Sequence, residues 1–402
     1  MRVVLYEWSC SGGLCGPDAD QILNSETAIP TDAFNGLREK IAAEGRAMLE
    51  SLAHDAARDA SLDVTVLIDR EGRVALPAIN VPAGVRVCQV HAQAEIDVLA
   101  RLAAKADWTL IVAPETAGIL AARVAAARMA GGRVAAPSAH FMALATDKQA
   151  TCLALAAAGV PVPAGGILDP SLPLPQGFFL PAVRKARASA SGDGLEILDG
   201  HEVSRLQQNG NDFLASSRRS TAMPASQSQR VEAFIEGLPV GVSCLCGPLG
   251  ITLLPAVRQL FSTGVSPDYL GGSLPLTDDL NTRAHQLARR ALAALIDHSS
   301  AHPSAHPGEA RDQHPTSKGS AACGWVGVDM ILGAREDGRG DRVLEINPRL
   351  TTSFVGLAQL FQTSLVRSIL DAASGREVNL YNSRAPGWRI EFDKAGKVVS
   401  SP

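Results

Sequence analysis

Aromatic residues make up only 4% of the 402 positions. Any core must therefore be built from aliphatic side chains and the abundant alanine, a composition that suits helices packed on a sheet. The chain also lacks an excess of positive charge: 37 Lys and Arg stand against 41 Asp and Glu, for a net charge of -4. That leaves no large basic excess to neutralise a phosphate backbone and argues against nucleic acid as a partner. Long apolar runs are missing too. No window approaches the roughly 18 uncharged apolar residues of a membrane span, and the Ala-rich stretch 117–130 is broken by Arg123 and Arg128. The opening apolar run ends at Glu7, too short for a secretory signal. The seven cysteines are odd in number and scattered, and Cys244-Leu-Cys246 has the wrong spacing for the usual zinc or redox pairs. They read as reduced thiols of a cytoplasmic protein. Finally, no Gly-x-Gly-x-x-Gly follows the first strand. Ser11-Gly12-Gly13 is a tight turn or a weak dinucleotide signal, and the residues do not decide which.

The length predicts two or three compact units. The first third alternates short β-branched runs (Val3–Tyr6, Val64–Ile68, Val85–Val90, Thr109–Ala113) with helical stretches at 35–60, 93–105 and 117–130. Val134–Ala136 is a candidate further strand. This alternation predicts a parallel α/β sheet. A helix is expected from Asp147 to Ala158, stopped by Gly159 with Pro161 and Pro163 beyond. Residues 178–198 read as two strands around the small-residue loop Ala188–Gly194, and Val231–Ile235 and Val240–Cys246 read as strands. Residues 283–296 read as an amphipathic helix. The stretch 298–322 is rich in His, Pro, Ser and Gly and reads as a flexible surface insertion. Its histidines His298, His302, His306 and His314 have prolines following three of them, which breaks the register a metal site needs.

Chemistry concentrates in two arms, Trp325–Leu332 and Val343–Arg349, joined by a Gly/Asp-rich link. Strand alternation puts Val326, Val328, Met330 and Leu332 on one face, and Leu344 with Ile346 on the matching face of the second arm. Asp329, Glu345 and Asn347 then meet across a hairpin on the other side. Three hard oxygen donors suit Mg2+, although a solvated outer face would look the same. Thr146-Asp-Lys148 opens a helix, where backbone N–H groups favour an anion; Lys148 is a phosphate contact or an ordinary first-turn lysine. Lys185 ends a strand before the loop holding Ser191 and Gly192, whose backbone could cover phosphates or simply turn.

In this order the pieces resemble the ATP-grasp superfamily over about 140–370. Thr146-Asp-Lys148 with Gly159–Pro163 is similar to its opening motif. Ala182–Lys185 with loop 188–194 resembles its lysine strand and glycine-rich lid. Glu232–Gly237 resembles its adenine-holding strand, and Asp329 with Glu345–Arg349 resembles its metal-binding strands. The resemblance implies an α/β chain in which an ATP-grasp fold, two α+β subdomains clasping ATP, follows a Rossmann-like parallel N-terminal domain. The implied boundaries are 1–138 and 139–390, with a lid subdomain at about 160–235 and a metal-binding subdomain at about 236–390. It implies that Lys148, Lys185, Ser191 and Gly192 contact phosphates, and that Glu232, Phe234 and Ile235 meet adenine. Asp329, Glu345 and Asn347 would hold Mg2+, or Mn2+ in its place, and Arg349 would face an acyl phosphate, with Lys185 also acting in catalysis. Ala186, Ser189, Ser191 and Pro239 depart from the family pattern of proline, glycines and a ribose-holding acid, and Glu236 is the substitute acid at hand.

Tyr6-Glu7-Trp8, Ala113-Pro-Glu115, Arg258-Gln259, Tyr269–Gly272 and Asn347–Ser353 are similar to the branch containing tyramine–glutamate ligase of methanofuran-type coenzyme biosynthesis. That resemblance implies small-molecule carboxylate and amine partners. Arg258, Gln259, Tyr269, Thr351 and Ser353 would lie on the substrate side, Trp8 or Tyr269 would form an apolar wall, and a homodimer is allowed. The expected activity is amide formation through an acyl phosphate. The alternative is a nucleotide-binding regulatory protein that has lost ligase chemistry. A dinucleotide-dependent oxidoreductase rests on the N-terminal α/β pattern alone.

Overall fold

A computed structural model describes residues 1–16, 18–19, 31–70, 79–168, 180–188, 195–199, 229–301, 321–381 and 388–401. Strands β1 (Arg2–Glu7), β2 (Asp63–Asp69), β3 (Arg86–Val90) and β4 (Trp108–Val112) form a parallel sheet in the order β3-β2-β1-β4. Val134 adds only a single bridge to Thr109. Parallel strands need crossovers: helix α1 (Thr31–Ala57) links β1 to β2 and α2 (Glu95–Ala103) links β3 to β4, while α3 (Ile119–Met129) leads from β4 to the Val134 bridge. Alternation sorts the strand side chains. Val3, Leu5, Val64 and Val66 pack with Leu49 and Leu52 of α1, whereas Val4, Tyr6 and Leu67 pack with Leu99, Leu120 and Val124. Both faces are buried over β1 and β4, as a parallel sheet requires, whereas the edge strand β3 is largely exposed.

Helices α4 (Ala139–Thr146) and α5 (Lys148–Ala157) meet at Asp147, which caps α5 by accepting the N–H groups of Gln149 and Ala150 at 3.0 and 3.1 Å. Gly159, at φ 72°, turns the chain out of the helix. Strands β5 (Gly165–Leu168), β6 (Ala182–Ala186), β7 (Glu196–Leu198) and β8 (Gln229–Ala233) form an antiparallel sheet ordered β5-β8-β6-β7. An eight-stranded antiparallel sheet follows. It comprises β9 (Leu238–Gly247), β10 (Gly250–Leu253), β11 (Val257–Phe261), β12 (Tyr269–Leu274), β13 (Gly324–Leu332), β14 (Arg342–Asn347), β15 (Arg389–Asp393) and β16 (Val398–Ser401). Its order is β14-β13-β9-β11-β12-β15-β16, with β10 on β9.

On one face of this sheet, Val240, Val242, Val326, Val328 and Met330 pack on Ala288, Leu292 and Leu295 of α6 (Asp278–Ala301). On the other, Leu245 and Trp325 join Phe354, Ile369 of α7 (Leu365–Ala373) and the α1 side of the N-terminal sheet in one core cluster. The N-terminal unit is thus fused to the large sheet rather than hung from it. Helix α6 starts before residue 283 and runs on through His298, so the insertion read at 298–322 begins only after the helix; residues 302–320, with His302, His306 and His314, lie outside the described residues. So do Ser189, Ser191 and Gly192 of the lid loop. Among the described residues no helix is long and apolar enough to cross a membrane.

Candidate active site

Strands β13 and β14 form the expected hairpin. Asp329 pairs with Glu345 and Gly327 with Asn347, which sets the three oxygen-bearing side chains on one face. The ladder shifts register after Asp329, so that Met330 pairs with Val343 and Leu344 is the extra residue. The expectation that Leu344 and Ile346 share the core face therefore fails: Val343 and Ile346 are in the core, and Leu344 lines the cleft. Asp329 accepts from Gln259 Nε2 and Asn347 Nδ2, both at 2.8 Å. Strand β9 approaches closely here because Gly241 has no side chain; a Cβ would stand 3.1 Å from Asp329 Oδ1.

Two lysines face this cluster. Lys148, at the start of α5, pairs with Glu345 at 3.1 Å. Lys185 on β6 pairs with Glu232 on β8 at 2.5 Å and donates to the Leu344 carbonyl at 3.4 Å. Arg230 holds the other Glu232 oxygen at 2.9 Å. Both lysines are only 6% exposed, so their charges act in a medium where electrostatics is strong. Asp147 carries more than its cap: Arg187 grips it with Nε at 2.8 Å and Nη2 at 2.5 Å, while the Lys148 N–H donates to the Arg187 carbonyl at 3.0 Å. This clamp ties the start of α5 to the end of β6, and hence Lys148 to Lys185.

These groups line one cleft of about 370 Å3 between the two antiparallel sheets. It brings together Lys148, Lys185, Glu232, Phe234, Ile235, Tyr269, Asp329, Glu345, Asn347, Arg349, Thr351 and Ser353. Strand β8 ends at Ala233, so Phe234 and Ile235 lie on the connection into β9, whereas the Glu232 backbone is flanked by β5 and β6. Pro239 lines the cleft and Glu236 is exposed outside it. Arg258 does not join the site. It is exposed, and its neighbours Val257 and Gln259 line the cleft instead, because adjacent strand residues point to opposite faces. Trp8 does not form a wall either; it is fully buried in the N-terminal core beside Gly13.

The N-terminal unit also reaches the cleft. Arg349 bonds Glu115, which follows β4, at 2.7 Å with both side chains buried. Glu44 of α1 lines the cleft and accepts from the Thr352 hydroxyl at 2.5 Å. Ser353 is held by Thr351 and Ser243 at 2.8 and 2.9 Å. Glu44 was missed in the sequence, since a glutamate on a helix, here between Ala43 and Gly45, ordinarily reads as solvated. Glu115 was visible only as part of a short motif, although its place after a parallel strand is where α/β ligand sites gather.

The electrostatics fit a cation. Burial first, then the facing Glu345 carboxylate, raises the pKa of Asp329 to about 7. For Glu345 burial acts upward as well, but Lys148 and Lys185 outweigh it and the net shift is downward. A divalent ion would relieve the repulsion between the two. Among the described residues there is no group of three or more His, Cys, Asp or Glu suited to a metal. The donor set, two carboxylates and one amide oxygen, fits Mg2+ shared with phosphate oxygens and water rather than a closed protein cage.

Residues 62–140 match the pre ATP-grasp 3 domain. Comparison with curated protein sequences gives no match. In three dimensions the chain is similar to an ATP-grasp superfamily protein from Archaeoglobus fulgidus at 20% identity and TM-score 0.58, covering 97% of this chain and 92% of that one. It is similar to the L-amino acid ligase from Bacillus licheniformis at 13% identity and TM-score 0.57, covering 97% and 78%. It is also similar to N5-carboxyaminoimidazole synthetase from Staphylococcus aureus complexed with ADP, at 12% identity and TM-score 0.57, covering 97% and 82%. At such identities the likeness is one of fold. Residues 62–140 are thus similar to a pre-ATP-grasp domain, and the chain has the fold seen in ATP-grasp structures.

Proposed function

We propose that this protein is an ATP-dependent carboxylate–amine ligase working through an acyl phosphate. The observation that carries this reading is the convergence of Asp329, Glu345 and Asn347 with Lys148 and Lys185 in one cleft. A carboxylate is a poor electrophile. Attack of its oxygen on the γ-phosphorus forms an O–P bond and breaks the bond to ADP. An amine then attacks the acyl carbon, the C–N bond forms, and the C–O bond to phosphate breaks. Phosphoryl transfer needs positioning and charge neutralisation more than covalent help. Lys148 and Lys185 supply fixed positive charge, Phe234 and Ile235 offer an apolar seat for the base, and Arg349 faces the acyl group with Glu115 fixing its plane. Asp329, Glu345 and Asn347 would hold Mg2+, or Mn2+, which when bound supplies Lewis acidity to the phosphate oxygens. The names of similar structures, an amino acid ligase and an ADP-bound synthetase, support the same class.

The finer reading joins L-glutamate, through its side-chain carboxylate, to tyramine, tyrosine or a close relative in the cytoplasm, as a step toward a methanofuran-type coenzyme. It is supported by the N-terminal and Tyr269–Ser353 motifs, and by the edge-on pair of Tyr269 and Phe261, 5.7 Å apart, beside the cleft. With Arg258 outside the cleft, Arg349 is, among the described residues, the cleft-lining guanidinium that could grip a carboxylate. The test is to supply ATP, Mg2+, glutamate and each amine in turn, following ADP and amide together. Turnover with an unrelated acid and amine but none with a phenolic amine rejects the substrate and keeps the class.

A further inference from the structure

Lys185 and Arg230 are partners across the β6–β8 ladder, so two cations stand side by side on the smaller antiparallel sheet. Directly opposed like charges destabilise a strand pair. Both side chains are also buried, Arg230 at 2% exposure and Lys185 at 6%. Glu232, two residues along β8 from Arg230, shares its face of the sheet. Glu232 Oε1 accepts from Lys185 Nζ at 2.5 Å, and Oε2 accepts from Arg230 Nε at 2.9 Å. One carboxylate thus serves two cations. The two cations are held differently. Arg230 also donates to the Gln149 side-chain oxygen in the first turn of α5 and to the Pro163 carbonyl at 3.4 Å. It does not line the cleft. Lys185 and Glu232 do, and Lys185 reaches the carbonyl of another lining residue, Leu344, at 3.4 Å.

We propose that Arg230 is a positioning residue for the nucleotide: it is the standing counter-ion of Glu232, and so lets Lys185 exchange Glu232 for a phosphate oxygen. This rests on the ATP part of the reading above. Removing one partner of a buried ion pair is costly because the other is left charged and uncompensated. Were Lys185 the sole cation on Glu232, each contact it made to phosphate would strand that carboxylate in the cleft wall. Arg230 removes this penalty. Its planar fork donates to Glu232, Gln149 and Pro163 at once, so it stays in place when Lys185 leaves. The sequence hid this role. Arg230 precedes the Glu232–Gly237 segment, and an arginine on a strand ordinarily reads as a surface residue.

Calorimetry on the full chain with Mg2+ tests it, using ADP and a non-hydrolysable ATP analogue as probes in double-mutant cycles. Arg230→Gln should weaken both nucleotides by about 10-fold or more, because Lys185 then stays on Glu232. In a Glu232→Gln background the same change should cost less than about 3-fold, since no carboxylate is left to strand. In a Lys185→Gln background it should also cost less than about 3-fold, since Arg230 acts through Lys185. A residue that merely supported the fold would cost the same in all three backgrounds. Arg230→Lys keeps a counter-ion and should bind within about 3-fold of wild type. It carries the test if Arg230→Gln does not fold: a loss of about 10-fold in Arg230→Lys overturns the proposal. So does an Arg230→Gln protein that binds nucleotide as wild type does, or one whose loss is equal in every background. Either result leaves the ligase reading intact. A wild type that binds neither nucleotide sinks that reading and this proposal together.

Discussion

Glu345 lies between opposing demands. Burial raises its pKa, yet Lys148 and Lys185 outweigh that and keep it ionised. Its charge serves the proposed Mg2+ and holds Lys148, so Glu345→Gln should keep the fold and lower turnover by about 100-fold or more. Near-normal ADP release from a well-folded Glu345→Gln protein would remove the metal assignment. Arg349 and Glu115 present a different case. They are 8% and 5% exposed, and truncating one partner leaves the other charged and unpaired. Glu115→Ala should lower stability by about 3 to 5 kcal/mol in denaturant titration. A loss below about 1 kcal/mol would show that water reaches Arg349 as the side chains relax.

At the scale of elements, the cap of α5 links fold to site. Asp147→Ala removes the one oxygen that accepts two N–H groups, together with the Arg187 clamp, and should cost about 1 to 2 kcal/mol while raising KM for ATP. The pH dependence follows from the pKa. Burial pushes Asp147 upward, but Arg187 and the capped N–H groups outweigh it, so the folded value lies below 3.8. A depressed carboxylate stabilises the fold fully above its unfolded pKa, and the contribution fades as pH falls through the folded value. The stability gap between wild type and Asp147→Ala should therefore shrink in acid; a constant gap from neutral pH to about pH 3 would contradict this. The same element shows what the sequence made legible. Asp-Lys before an alanine-rich run and Gly159 after it marked α5 to within a residue. The β13–β14 hairpin was equally plain, because its alternation is strict until the register shift. That shift was not visible, since one extra residue leaves no composition signal, and it moved Leu344 from core to cleft. Arg258 was misplaced by one position of alternation: once Gln259 faces Asp329, Arg258 cannot. Trp8 and Glu44 show the limit of local pattern, because their surroundings come from segments far away in the chain.

For the whole molecule, the core that joins Val3, Leu5 and Leu52 to Leu245, Trp325 and Phe354 makes the N-terminal sheet part of the large sheet's support. Both should unfold together. Phe354→Ala, at a fully buried position, should cost about 3 to 5 kcal/mol and shift one cooperative transition rather than release a separate unit. Two transitions in calorimetry, only one of them moved, would argue that the units are independent. The fused core also brings Glu44 and Glu115 against Thr352 and Arg349, in the segment that follows the hairpin. The central claim is that a carboxylate is activated on ATP within that cleft. The most direct test is to supply a turned-over acid carrying 18O at both carboxylate oxygens and to follow the label. The account predicts one 18O atom in the phosphate released for each amide formed, with Mg2+ required. Amide formed while the phosphate carries no label, or nucleotide bound with no ADP released for any acid and amine, would contradict it.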